Sequence, residues 1–209
     1  MGVGERPTWV LLRLIENDPL YKALLDELLD EIEAYSERAH PGMCQREGFL
    51  FISSQETVTP YHFDPEFNFL MQVRGSKTVH MWDPSNRFVL PAVAVDSFYA
   101  NVGDNRNQPY RDEFMDSAWV MPLQAGRGLH FPLHAPHWVR TDSDISVSLS
   151  MTFRTRQSKS QEYVHSANHH LRQLGLKPPA PGTNRLWDLA ARFSYRSMRK
   201  TGALLRPRR

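Results

Sequence analysis

His62 and Asp64 stand two apart in the stretch Thr59 to Lys77, TPYHFDPEFNFLMQVRGSK. On an extended segment alternate residues share a face, so the pair would present one nitrogen and one oxygen donor to the same side. With a second histidine they would make the two-histidine, one-carboxylate set of non-haem iron sites, which leaves positions open for a cosubstrate and oxygen. Three histidines compete for the third place: His130, His134 and His137 in GLHFPLHAPHWV. Pro132 and Pro136 restrict that loop, and His137 opens the strand that follows. A donor at the root of a strand is better fixed than one at a loop tip, which favours His137, with His134 as the fallback.

The elements that must position these donors are mostly short and β-like. Residues 8–14 read as a strand, and Glu16-Asn17-Asp18-Pro19 as a helix start, with Asp18 as cap and Pro19 at the first helical position. Leu20, Leu24, Leu25, Leu28, Leu29 and Ile32 then recur at helical spacing, with Asp26, Glu27, Asp30, Glu31 and Glu33 mostly toward water, as expected of a helix covering a β core. Residues 48–53 read as a buried strand. Residues 68–73 read as another, with Gly75-Ser76 as a turn and 77–82 as the return strand, which puts Lys77 near the His62/Asp64 pair. Residues 83–118 are rich in turn formers and aromatics and are expected to be a long insertion with little regular structure that covers the site.

Strands resume at 119–123, 128–131, 138–141 and 145–153. The last alternates Ile145, Val147, Leu149, Met151 and Phe153 with Ser146, Ser148, Ser150 and Thr152. A polar helix is expected over 160–174, a stiff break at Lys177-Pro178-Pro179-Ala180-Pro181-Gly182, and a terminal helix over 186–205 with Leu186, Leu189, Ala190, Phe193 and Ser197 along one side. His165, His169 and His170 are expected to be surface or packing residues.

Composition narrows the class. A chain of 209 residues holds one domain with an appendage, and its 41% hydrophobic and 23% charged residues are those of a folded globular protein. Fifteen prolines against eleven glycines suit many short elements separated by turns, as in all-β architectures. The net charge of +2 is too small to argue for a nucleic-acid partner. Cys44 is the single cysteine, which excludes an intramolecular disulfide and fits a reducing, cytoplasmic setting. No apolar run approaches the ~20 residues that span a bilayer.

Taken together, Thr59-Pro60-Tyr61-His62-Phe63-Asp64, Asn68-Phe69, Gly75-Ser76-Lys77, Gly128, Pro132 and His137-Trp138 resemble the cupin-like branch of the JmjC-domain oxygenases. They are similar in particular to the asparaginyl hydroxylase that inhibits hypoxia-inducible factor. The resemblance runs over residues 50–153, with the motifs in the same order. It implies a mainly β fold: a double-stranded β-helix (cupin or jelly-roll) core over 48–155, an N-terminal strand and covering helix in 1–47, and a helical, basic extension in 156–209. His62, Asp64 and His137 are then the Fe(II) ligands. Lys77 pairs with the distal carboxylate of the cosubstrate 2-oxoglutarate, Thr59 donates a hydroxyl to that carboxylate, and Asn68 is a polar neighbour.

The family's proline shortly before its last ligand matches Pro132 and supports His137 over His134. Ser150 departs from the pattern, standing where the relative has an asparagine. The implied activity is that of a 2-oxoglutarate-dependent dioxygenase, hydroxylase or demethylase, acting on a protein side chain or a small molecule and releasing succinate and carbon dioxide. The alternative is a non-catalytic cupin-like binding or regulatory module. In the terminal helix, Arg185, Arg192, Arg196, Arg199 and Lys200, with Arg206, Arg208 and Arg209, read first as a solvated basic face. A homodimer contact through the helix, which the resemblance suggests, comes next, and nucleic acid last.

Overall fold

A computed structural model describes residues 8–101 and 106–200. Its strands are β1 (Trp9–Arg13), β2 (Met43–Ser53), β3 (Val58–His62), β4 (Phe67–Arg74), β5 (Ser76–Met81), β6 (Trp119–Gln124), β7 (Gly128–Phe131), β8 (His137–Thr141) and β9 (Ser146–Thr155). Its helices are α1 (Pro19–Ser36), α2 (Ala92–Asn101), α3 (Arg156–Gln173) and α4 (Arg185–Lys200). The strands form two antiparallel sheets, ordered β1-β2-β9-β4-β7 and β3-β8-β5-β6. Leu70 of the first sheet packs with Val79, Met81, Leu123 and Val139 of the second, so the sheets share one interior. This is the cupin, or jelly-roll, arrangement.

Local signals explain the helix starts. The Asp18 carboxylate accepts from the Leu20 amide at 2.9 Å and Pro19 opens α1. Thr155 and Ser158 cap α3 reciprocally, which starts it at Arg156, four residues earlier than its polar pattern suggests. Leu25 and Leu29 of α1 are buried against Phe67, Leu149, Met151 and Phe153, each burial being worth about 1.5–3 kcal/mol. The apolar stripe is narrower than its spacing predicts, because Leu20 and Leu24 lie outside this contact and are exposed.

Strand β9 is buried on both faces. Leu149, Met151 and Phe153 face α1, outside the sheet pair, while Ser148 and Ser150 point into the shared interior with Asn68 and Gln72 of β4. That polar lining is fully bonded: Ser148 Oγ donates to Gln72 Oε1 at 2.7 Å, Gln72 Nε2 to Ser146 Oγ at 2.8 Å, and Ser150 Oγ to Asn68 Oδ1 at 2.8 Å. Buried polar groups are tolerated on that condition.

Strands β4 and β5 do not form the expected hairpin. β4 pairs with β7 and β9, β5 with β6 and β8. Gly75 alone separates them, one residue short of the tightest common hairpin loop. The chain instead bends from one sheet to the other at a φ of +69°, where a Cβ would lie 2.5 Å from the Ile145 carbonyl oxygen.

The 83–118 insertion is more ordered than its composition suggests. It contains α2, which packs on α3, and Leu90 and Val95 are buried with Phe63. Tertiary burial outweighs the weak helix preference of Val93 and Val95. The Gly103-Asp104-Asn105 turn lies outside the described residues, as do 201–205 of the expected terminal helix and Arg206, Arg208 and Arg209. In α4 the packed side is Trp187, Ala191 and Tyr195, set on Val164 and Ala167 of α3. The indole of Trp187 also donates to Asn168 Oδ1 at 3.2 Å. Leu186, Leu189 and Phe193, on the apolar side read from the sequence, are exposed at 80%, 50% and 76%.

Candidate metal centre

The site begins with an irregularity in β3. Thr59 lies opposite Val139 and His62 opposite His137, so three steps along β3 match two along β8. This is a bulge, and it falls at Pro60, which has no amide to give to the ladder. Without the extra residue Tyr61 would face the interior. With it, His62 turns inward beside Thr59, and Tyr61 packs outward on Trp82 and Phe114.

Asp64 lies just past the end of β3 rather than on it. His62 Nε2 stands 3.9 Å from Asp64 Oδ1 and His137 Nε2 3.8 Å from Asp64 Oδ2. One donor atom from each of the three residues falls within 4.8 Å of the others. Each imidazole is held through its other nitrogen, His62 Nδ1 on the Pro60 carbonyl at 2.7 Å and His137 Nδ1 on the Ala135 carbonyl at 2.9 Å. An Nδ1–H donated to a carbonyl leaves Nε2 as a lone-pair donor aimed at Asp64, the usual arrangement of a ligating histidine. Burial first, then the neighbouring His62, pushes His137 down to about 4, so its ring is neutral at neutral pH. Burial alone would raise the Asp64 carboxyl; the neighbouring His137, His62 and Arg106 and the Asn68 amide outweigh it and hold the group below its ordinary value. Two imidazole nitrogens and a carboxylate suit Fe(II) or another divalent first-row metal.

His134, the fallback ligand, points elsewhere. It is half-buried at a φ of 62°, its amide donates to the Asp64 carbonyl at 3.1 Å, and its Nε2 is bonded to the Tyr99 hydroxyl at 2.7 Å. Tyr99 belongs to α2 and its carbonyl accepts from Ser166 of α3 at 3.0 Å. The loop carrying His137 is therefore tied to the Asp64 loop and to the insertion. We expect Tyr99→Phe to lower divalent-metal affinity about tenfold while leaving far-UV circular dichroism unchanged, measured by Co(II) titration. His130 faces outward against Phe67 and Phe69.

The insertion also brings in Arg106, which sequence reasoning missed. Its guanidinium is 3.3 Å from Asp64 Oδ1, 46% exposed, and its carbonyl accepts from the Phe63 amide. Nothing near Arg106 in the sequence marks it, since the path of a long loop is set by what it packs on.

Lys77 lies on β5, same face as Val79 and Met81, and Met81 is directly opposite His137. Four residues at ~3.3 Å each put about 13 Å of strand between Lys77 and that position. Its side chain is buried, with Nζ 5.8 Å from the Phe51 ring, and it makes no ion pair or hydrogen bond among the described residues. Burial pushes it down to about 8. Asn68 sits between Asp64 and Ser150. Thr59, across from Val139, faces the same interior.

No protein-family model matches the chain, and no curated protein matches it. Among solved structures it is similar to E. coli ycfD, at 13% identity and a TM-score of 0.50, over 95% of this chain and 49% of that one. A cupin superfamily protein from Desulfitobacterium hafniense matches at 10% identity and 0.37, over 74% and 84% of the two chains. The DMSP lyase DddQ from Ruegeria pomeroyi matches at 13% and 0.32, over 51% and 37%. The chain thus spans about half the E. coli protein and less of the lyase. At such identities the likeness concerns the fold alone. Fold and site together define a cupin-fold protein with a His-Asp-His cluster able to take a metal. Among the described residues, no helix is long and apolar enough to cross a membrane.

Proposed function

We propose that the chain is an Fe(II)- and 2-oxoglutarate-dependent oxygenase of the JmjC-like branch, hydroxylating a protein side chain or a small molecule in the cytoplasm. The observation that carries this reading is Lys77. A buried ammonium without a counter-ion is costly, and it lies in the same interior as three converging metal donors. An anion that also reaches the metal relieves both needs.

His62, Asp64 and His137 would hold Fe(II), which with 2-oxoglutarate supplies oxygen activation coupled to decarboxylation to succinate and carbon dioxide. The protein's own part is binding and orientation. Lys77 neutralises the far carboxylate, and the Thr59 hydroxyl donates to it. Asn68 positions Asp64 and is itself held by Ser150. Val79, Met81 and Val139 exclude water between the two ends. Arg106 and the insertion border the metal and would meet the substrate.

Succinate formation by the purified protein with Fe(II), 2-oxoglutarate and oxygen tests the proposal. Failure of the folded protein to bind Fe(II) or 2-oxoglutarate would overturn it. Tight binding of both without succinate, across peptide and small-molecule substrates, would instead favour the non-catalytic binding module.

A further inference from the structure

A second concave feature lies apart from the metal centre, between α3 and α4. It encloses about 820 Å³, and Arg156, Lys159, Arg192 and Arg196 line it together with Leu189 and Phe193. No carboxylate lines it, and none of the four cations makes an ion pair among the described residues. Arg192 is held by neutral oxygens, the Asp188 carbonyl and the Ser160 hydroxyl, and Arg196 lies 5.7 Å over the Tyr163 ring. Four positive charges therefore face one groove without internal compensation.

Beside them runs an apolar stripe without a partner. Leu186, Leu189 and Phe193 recur at i, i+3 and i+7, all half exposed or more. Single exposed apolar residues are ordinary; three in register beside a row of cations mark a contact surface. Nucleic-acid phosphates would satisfy the arginines and gain nothing from two leucines. A membrane would take the stripe, yet Arg156 and Lys159 stand on the opposite wall of the groove, at the start of α3. A second copy would bring its acidic α1, but Asp26, Asp30 and Glu33 there are engaged by Arg46, Leu25 and Leu29 face their own sheet, and the exposed Leu20 and Leu24 lack an apolar residue at i+7, where Glu27 stands.

An amphipathic helix with apolar anchors at this spacing and acids on both flanks satisfies stripe and cations at once. We infer that the α3/α4 groove docks an acidic amphipathic helix of another protein, with its anchors on Leu189 and Phe193 and its carboxylates on Arg156, Lys159, Arg192 and Arg196. The inference is independent of the metal chemistry.

The test uses the full chain and a labelled synthetic peptide of about five helical turns, with leucine at i, i+3, i+4 and i+7 and glutamate on both flanks. A twin carries lysine for glutamate. Fluorescence anisotropy should show micromolar binding of the acidic peptide, none of the twin, and weakening with salt. Arg192→Glu and Phe193→Ser should each lower affinity at least about tenfold. Arg38→Glu, at an exposed cation on the loop after α1, should change nothing. Phe193 is 76% exposed, so its loss does not threaten the core. Equal binding of both peptides, or unaltered binding by the groove variants, would overturn the inference. So would tighter association with phosphatidylserine vesicles or a single-stranded oligonucleotide that the same variants abolish, or a self-associated chain that Arg192→Glu dissociates in sedimentation.

Discussion

Asp64→Ala is expected to abolish stoichiometric binding of Fe(II), or of Co(II) as its spectroscopic substitute, at micromolar concentration. His137→Ala should do the same. Asp64 is the one carboxylate among the three donors, 3.9 Å and 3.8 Å from the two Nε2 atoms. Without it two imidazoles would face a divalent cation with no anionic ligand. The variant should still fold, because the Asp64 side chain contributes no apolar packing and the bond from the His134 amide to the Asp64 carbonyl is made by the backbone. Visible absorption on Co(II) titration measures the loss, and unchanged circular dichroism separates it from unfolding. A titration that still saturates at one equivalent would remove Asp64 from the ligand set.

Lys77 has the next largest expected effect. Lys77→Ala should weaken 2-oxoglutarate by about 2–5 kcal/mol, the usual cost of deleting one partner of a buried charge pair, with Co(II) affinity unchanged. Isothermal titration of the metal-loaded protein measures it, and unaltered cosubstrate affinity would show the lysine misassigned. The same residue should make that binding pH-dependent. Because burial holds free Lys77 at about 8, the ammonium is present below that pH and lost above it, so cosubstrate affinity should fall as pH rises through 8.

Stability runs the other way. A lysine with a depressed folded pKa is a cost that is full below about 8 and relieved toward the unfolded value near ~10.4. Lys77→Met should therefore raise the Tm of the ligand-free protein at neutral pH while losing the cosubstrate.

These expectations rest on different depths of information. The donor types, their order and the proline beside them are visible in the chain, as is the cap at Asp18, because each such signal acts within a few residues; the Thr155 cap, though equally local, lies ahead of the helix expected from residue 160. The alternation over β9 was also legible, but not its meaning. Apolar residues look inward by default, whereas here they face α1 and the serines line the interior.

The amino-acid sequence by itself determined the chemistry available: two imidazoles, one carboxylate and a lysine, on strands of predictable extent. Only the tertiary structure decided the convergence of the two imidazoles and the carboxylate. The β3 bulge sets which of Tyr61 and His62 faces inward, and it is defined by pairing with β8, some 75 residues away, since His62 pairs with His137. Gly75 turns the chain into a second sheet because Ile145 occupies the space beside it. Arg106 reaches Asp64, and α4 buries Trp187 and Tyr195 rather than Leu186 and Phe193, through partners distant in sequence. Register and facing are properties of pairs of segments, and a local pattern carries only one member of each pair.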